Sequence, residues 1–304
     1  MLNRIRAFFR INHDALRLLR RTEPLVLSSS TAFFTTFSLS PILILIVSLF
    51  GLYFTSEKIS NQLFGKIGAT VGYETARDIQ AIVNNFMLFE RTWWVTAGGL
   101  LFFIFIATTL LAVVKHNIHK LWRIRHQKGN IRHRFSERMI LLWIVFLTGV
   151  LIVISLLIDS SLAISLDYLQ TIVPFAGITL IRVLNALFSL VVVTIWFTVI
   201  FKLLPEAKVD WEVAFNGAFV TALLFTAGKF VLGKVLVHAR IATIYGASTS
   251  IALLLLFIFY SSFILYYGAA FTHEYAEYCE KHICASKNAR EFEERLFEAD
   301  NTSA

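Results

Sequence analysis

Long apolar stretches without charged residues alternate with charged segments along the chain. Five stretches offer about the 20 apolar residues that a membrane-spanning helix needs, and a shorter one reaches that length if Lys229 and Lys234 turn their charged ends to the surface. Their apolar residues are continuous rather than alternating, which disfavours strands. The pattern therefore predicts an all-α polytopic membrane protein with six transmembrane helices. The predicted spans are residues 28–54, 93–114, 139–160, 180–203, 213–234 and 248–272, with a loop around Tyr245-Gly246.

Basic residues near the spans predict which side each end occupies. Residues 1–23 contain six Arg, and residues 115–138 contain eight Lys or Arg. Residues 57–91 balance four basic residues with four acidic ones, and residues 159–177 contain no basic residue. Because basic segments stay in the cytoplasm, we predict that both chain ends are cytoplasmic. Lys229, Lys234 and Arg240 would then lie on the outer side, which fits this rule poorly.

Three regions follow: a cytoplasmic amphipathic basic helix at 1–23, a six-span membrane domain at 24–273 and a cytoplasmic acidic tail at 274–304. At helical spacing the first region has an apolar face (Ile5, Phe8, Phe9, Leu16, Leu19) and a basic face (Arg6, Arg10, Arg17, Arg21). Such a helix either lies on an anionic leaflet or packs against the bundle with a solvated basic face.

The outer segment at 57–91 is too long for a turn. Apolar residues recur there at helical spacing in two groups, Ile59, Leu63 and Ile67, and then Ile79, Ile82, Val83 and Phe86. Three glycines, Gly65, Gly68 and Gly72, lie within the first group and between the two groups. We therefore predict two short surface helices in this first outer loop.

Composition supports the membrane prediction. Hydrophobic residues make up 57% and charged residues 16% of the chain, and the mean hydropathy is +0.69, whereas soluble domains average about 45–50% and about 25%. The net charge of +8 lies in two blocks beside the spans, so it indicates topology and not nucleic-acid binding. Neither a disulfide between Cys279 and Cys284, nor a cofactor, nor a metal site is predicted. A His-x-x-His pair can bind metal, but the loop histidines have positive surroundings, no cysteine close by and only Glu137 as a nearby carboxylate; they are His116, His119, His126 and His133. The tail cluster of His273, Cys279, His282 and Cys284 matches no ligand spacing of a zinc motif.

The first span is unusually rich in hydroxyl residues. Ser28, Thr31, Thr35 and Ser38 fall on one helical face, and Pro41 follows. Because a hydroxyl in hydrocarbon needs a partner, one interpretation is a kinked helix that lines a polar cavity. The other is that the hydroxyls bond their own helix backbone while small side chains allow close packing.

Basic and amide residues gather at the outer ends of the fourth and fifth spans. Arg182 and Asn185 lie one turn apart, and Lys229 and Lys234 end the fifth span. Ionisable residues at membrane depth indicate a functional site, here one for an anionic headgroup. The alternative is that these side chains reach the interface only to solvate their charges.

The sequence resembles the YihY/BrkB family of bacterial inner-membrane proteins. The resemblance rests on an ordered set of features over residues 15–280, none of them specific alone. They are Ser29 to Pro41 (SSTAFFTTFSLSP), Lys202-Leu203-Leu204-Pro205, Trp211, Gly217-Ala218, Leu223-Leu224-Phe225, Lys229, Tyr245-Gly246 and Gly268-Ala269, with Asn117 and Trp122 in the basic loop. The resemblance implies a six-span inner-membrane protein of uncharacterised activity.

One position departs from the family pattern. Members often carry Gly-Ala-Glu in the last span, where this chain has Ala270. A proton relay through that acid is therefore not expected here. The family once carried a ribonuclease label, which we reject because the chain lacks a nuclease's metal-binding carboxylate pair or His–carboxylate cluster.

We therefore expect a non-enzymatic, permease-like or lipid-handling envelope protein whose partners are anionic membrane lipids and not nucleic acid. The rival hypothesis is a non-transporting scaffold that binds protein partners through the basic loop and the N-terminal helix. A membrane enzyme is a third class, without residues that support it.

Overall fold

The computed structural model describes residues 2–50, 63–68, 73–88, 93–126, 131–170, 176–238, 249–281, 283–285 and 289–291. The helices are α1 (Leu2–Arg21), α2 (Pro24–Phe50), α3 (Tyr73–Leu88), α4 (Trp93–Leu121), α5 (Ile131–Gln170), α6 (Ala176–Leu203), α7 (Trp211–His238) and α8 (Thr249–Tyr278). The strands are β1 (Ile124–His126), β2 (Ala207–Lys208), β3 (Cys284–Ala285) and β4 (Ala289–Glu291). The loop predicted at Tyr245-Gly246 lies outside the described residues.

Within the described part of the chain, six helices are long and apolar enough to cross a membrane: α2 and α4 to α8. The prediction of a six-span, all-α membrane protein is therefore confirmed. Several helices exceed the membrane. The 40 residues of α5 extend about 60 Å at 1.5 Å per residue, roughly twice the hydrocarbon thickness.

Local sequence explains where the helices begin and end. Pro24 opens α2 at a position where a missing N–H costs nothing. The helix then continues through Pro41. Asp210 precedes α7, whose first turn also carries Glu212, and carboxylates at this end favour the helix dipole. Pro205 follows soon after the end of α6 at Leu203, as proline commonly does.

The spans form a closed ring in chain order, because each packs on the next and α8 returns to α2. We call one end of the bundle the basic end. It contains the turn from α1 to α2, the connection from α6 to α7, and the chain that follows α4 and α8. The opposite end is the far end. One core cluster surrounds Leu121, Phe201 and Leu265 towards the basic end. A second surrounds Leu43, Phe103 and Leu156 towards the far end.

The helices α7 and α8 cross at two glycines that face two threonines. A Cβ on Gly217 would lie 1.9 Å from Oγ1 of Thr272, and a Cβ on Gly268 would lie 1.9 Å from Oγ1 of Thr221. Each threonine donates to the glycine carbonyl four residues earlier in its own helix, at 2.7 Å. Only glycine permits this close approach, and the hydroxyls remain satisfied.

Four short strands tie the segment after α8 to the connections at the basic end. β4 pairs antiparallel with β1 after α4. β3 pairs antiparallel with β2 between α6 and α7. The hydrophobic pattern did not predict these strands, which are too short to show an alternation.

At the far end, the structure is helical at residues 63–68 and in α3. These are the two places where the outer segment predicted short helices. Leu63, Phe64, Ile79 and Val83 are buried against the far core cluster, whereas Ile82 is exposed. Both short helices therefore pack on the bundle.

Candidate functional site

The polar face of the first span joins two other spans through one amide group. The Nδ2 group of Asn117 in α4 donates to the hydroxyl of Tyr266 in α8 at 2.8 Å. It also lies 3.2 Å from Oγ1 of Thr31 and 3.3 Å from Oγ of Ser30. Thr31 and Tyr266 share a short hydrogen bond. A buried polar cluster thus connects α2, α4 and α8 near the basic end.

The remaining hydroxyls of this face bond mainly to their own helix. Thr35 donates to the carbonyl of Thr31 at 2.7 Å, and Ser38 donates to that of Phe34 at 2.6 Å. Ser28 is fully buried, and its Oγ has no hydrogen-bond partner among the described residues. Pro41 is also buried. The backbone-bonding interpretation describes Thr35 and Ser38, and the polar cavity face stays a prediction.

The family's acidic position lies in a packed region. Ala270 is fully buried in the core cluster of the basic end. Beside it, Nε1 of Trp122 donates to the carbonyl of Ala269 at 2.9 Å. Apolar packing therefore fills, in this chain, the position that is acidic in the pattern described above. Glu274, one turn further, is half-buried and lies 3.6 Å from Nδ1 of His273.

A partly buried ion pair joins α4 to the connection between α6 and α7. Nζ of Lys115 lies 2.6 Å from Oε1 of Glu206, with the two side chains 15% and 14% exposed. The backbone N–H of Glu206 also donates to Nε2 of His119 at 2.9 Å. Burial makes such a pair stronger than a surface pair and costly to break on one side only.

Two further lysines close the basic end. Lys202 donates to the carbonyl of Val209 and lies 5.2 Å from the ring centre of Trp211. Lys281, beyond α8, donates to Glu212 and lies 3.6 Å from Asp210. The hydrogen bond with Glu212 raises the pKa of Lys281 above its usual value. These contacts fix the segment after the last span to the start of α7.

The predicted outer anionic site lies at the far end of two antiparallel neighbours. Asn185 near the start of α6 and Lys229 near the end of α7 are both exposed. Arg182 and Lys234 occupy the same ends of these helices, but their side chains lie outside the described ones. The structure brings the four positions to one end of one helix pair, and their role stays a prediction.

Sequence reasoning missed the partners of the first span. Tyr266 lies in an uncharged stretch and was not a candidate, yet a tyrosine hydroxyl inside a span needs a partner. The same argument applies to Asn117, which the resemblance noted without a role. Nothing in the sequence linked Lys115 to Glu206, which are far apart in the chain.

A family model described as Virulence factor BrkB matches residues 15–292. A UPF0761 membrane protein of Saccharophagus degradans is 24% identical over 253 residues, which are 82% of this chain and 56% of the relative. One from Prosthecochloris aestuarii is 26% identical over 88% of this chain and 64% of the relative. One from Tolumonas auensis is 28% identical over 60% of this chain and 58% of the relative.

The chain thus spans about three-fifths of the length of these relatives. No solved structure matches it. The family match begins within α1 and ends just after β4. It therefore includes the six spans and the strands that close the basic end.

Proposed function

From the premise that the chain belongs to the Virulence factor BrkB family and is a multi-pass bacterial membrane protein, we propose that it handles anionic lipid in a permease-like manner. In this proposal the protein lies in the inner membrane. Its basic end faces the cytoplasm, because the basic blocks of the sequence meet there. The observation that carries the proposal is the arrangement of side chains around α1.

Three successive residues show the three faces of α1. Ala15 is fully buried against the bundle, Leu16 is exposed and Arg17 is exposed. Since each residue turns a helix by about 100°, these residues mark a packed face, an open apolar face and a basic face. Phe9 lies seven residues before Leu16, on the same open apolar face, and is 69% exposed.

The proposal combines both interpretations of the N-terminal helix. Ile11 and Leu19 pack into the core cluster of the basic end, and Tyr267 of α8 donates to Asn12. The open apolar face remains available to acyl chains, and the neighbouring arginines to anionic headgroups. A helix fixed to the last span in this way would hold anionic lipid beside the bundle.

Lipid retention tests the proposal. The protein is purified in mild detergent, and co-purifying lipids are identified by mass spectrometry. We expect enrichment of anionic lipid over the bulk membrane, reduced severalfold in the double variant Arg6→Gln/Arg17→Gln. The matched control is Arg123→Gln/Lys208→Gln, which removes two exposed charges at the same end of the bundle but outside α1. A lipid profile equal to the bulk membrane would refute the proposal.

The far-end positions are tested in the same assay. Arg182→Ala/Lys229→Ala is expected to lower anionic-lipid retention without loss of membrane-inserted protein. Unchanged retention in a well-folded double variant would remove the far-end site and leave the α1 surface standing.

A scaffold function is the second candidate, and the closure of the basic end favours it. The strand pairs and the ion pair of Lys115 with Glu206 hold that end together. A scaffold needs no such closure to open, whereas a permease does. Cross-linking β2 to β3 through cysteines at Ala207 and Ala285, which are paired in register, should leave a scaffold active and stop a permease.

A further inference from the structure

A small pocket at the far end lies between the helical segment at 63–68 and α3. It encloses about 190 Å³ and opens to the surface. Small-molecule sites typically exceed about 300 Å³, so this pocket admits a headgroup-sized fragment and not a whole lipid. Its lining residues are Phe64, Gly65, Tyr73, Ala76, Arg77 and Gln80.

The lining combines an apolar floor with a polar rim. Phe64 and Ala76 are each 4% exposed and form the floor. Arg77 is exposed, and Gln80 is half-buried. Tyr73, Ala76, Arg77 and Gln80 follow the spacing of one helical face, so α3 presents this face to the pocket.

The walls are fixed to the bundle. Lys66 donates to Oγ of Ser155 in α5 at 2.7 Å, and Phe64 belongs to the far core cluster. Across the pocket, a Cβ on Gly68 would lie 2.6 Å from the ring of Tyr73, so this glycine lets the two short helices meet. The pocket is therefore held open by packing on the bundle.

The charge at the rim is available. Arg77 makes no ion pair with any side chain that the structure describes. Asp78 follows it, but at about 100° per residue it points away from the pocket face of α3. An arginine fork suits the oxygens of a phosphate, and the amide of Gln80 adds a donor.

We propose that this pocket binds the phosphodiester headgroup of an anionic phospholipid, with the acyl chains outside along the bundle. The proposal rests on the proposed lipid-handling function and assigns it a second site. The pocket residues connect the first two spans along the chain, at the far end of the bundle. In a bilayer, this position would give a lipid a far higher local concentration than a soluble phosphate.

Two variants disable the pocket in different ways. Arg77→Gln removes the charge and keeps a polar side chain. Gly65→Leu adds an apolar side chain to the pocket lining, and its Cβ meets nothing within 4 Å. Gly98→Leu is the matched control, since a Cβ at Gly98 also meets nothing within 4 Å. Lys208→Gln is the control for the lost charge, because Lys208 is exposed at the opposite end.

The full chain is placed in nanodiscs of phosphatidylcholine, with or without phosphatidylglycerol, and amide hydrogen exchange is followed by mass spectrometry. At a phosphatidylglycerol concentration about ten times Kd, exchange in residues 63–68 and the first turns of α3 should slow about tenfold. Arg77→Gln and Gly65→Leu should need about tenfold more of the lipid. Both control variants should behave as the unmodified chain.

Each other outcome overturns the assignment. Equal protection without phosphatidylglycerol rules out selection of an anionic phospholipid, because phosphatidylcholine also carries a phosphodiester. Unchanged protection in Arg77→Gln rules out recognition through the arginine. The same protection from inorganic phosphate in phosphatidylcholine discs alone identifies a soluble ligand instead. Protection of α1 without protection of the pocket rejects this inference only, whereas protection of neither region rejects the proposed function too.

Discussion

Replacing Gly268 by alanine should weaken the contact between α7 and α8. The new methyl group would lie 1.9 Å from Oγ1 and 2.8 Å from both Cβ and Cγ2 of Thr221, whereas carbon atoms normally rest about 3.5–4.0 Å apart. Rotating the threonine side chain moves Oγ1 and Cγ2 but leaves Cβ in place. The helices must therefore separate by roughly 1 Å at this crossing.

The cost can be worked from these distances. Overpacking of this kind costs about 1–3 kcal/mol, and the better helix propensity of alanine returns up to about 1 kcal/mol. A displaced crossing would also disturb the equivalent contact between Gly217 and Thr272. The two terms leave a net loss of up to about 2 kcal/mol in the free energy of unfolding, and a disturbed second contact would add to it.

The assay is reversible unfolding in mixed micelles, followed by circular dichroism. Thr221→Gly removes the obstructing Cβ, so the double variant Gly268→Ala/Thr221→Gly should recover at least about 1 kcal/mol of coupling energy in a double-mutant cycle. Gly98→Ala, where the methyl group meets nothing within 4 Å, is the control and should not destabilise. If Gly268→Ala is as stable as Gly98→Ala, the close crossing does not exist as described.

Three other predictions concern the ends and the interior of the bundle. Asn117→Leu should cost about 1–3 kcal/mol in unfolding free energy, because it removes the amide that joins three spans and leaves buried hydroxyls short of a partner. Tyr267→Phe removes the bond to Asn12 and should raise proteolysis or hydrogen exchange of α1 about fivefold. Lys281→Met should destabilise to the same extent from neutral pH to about pH 10, and its effect should vanish at higher pH. A pKa raised by Glu212 means that the stabilisation is complete below the ordinary lysine value of 10.5 and is lost only as the pH passes the folded value.

The controls for these variants use the same chemical change at exposed positions. Asn185→Leu should change stability by less than about 0.5 kcal/mol, and Tyr278→Phe should leave α1 exchange unaltered. If Asn117→Leu matches Asn185→Leu, the buried polar cluster contributes no net stability. If the destabilisation by Lys281→Met instead became smaller as the pH was lowered towards neutrality, the predicted pH dependence would be wrong.

The spans were predictable because each one is set by a local property of the sequence. Twenty apolar residues form a helix in lipid wherever the rest of the chain goes, so six helices followed from six stretches. The hydrogen bonds of the first-span hydroxyls were also predictable in part, since Thr35 and Ser38 donate to carbonyls four residues earlier. Such bonds depend on the helix alone.

Contacts between distant parts of the chain were not predictable. The contact between Thr31, Asn117 and Tyr266 depends on which helices pack together and on how each is rotated about its axis. A helical face was visible in α1, but its division into packed and open apolar faces depends on where α8 lies. Lys115 and Glu206 meet for the same reason, and a short strand such as β2 carries too few residues for a pattern.

The strands that follow α8 determine when the basic end can fold during synthesis of the protein. A ribosome delivers β1 and β2 long before their partners β4 and β3 exist, so the connections after α4 and α6 must wait with unpaired backbone groups while the later spans insert. The basic end can be completed only when β3 and β4 emerge, after all six spans have been made. A chain halted before these two strands would expose its open strand edges to proteases and chaperones.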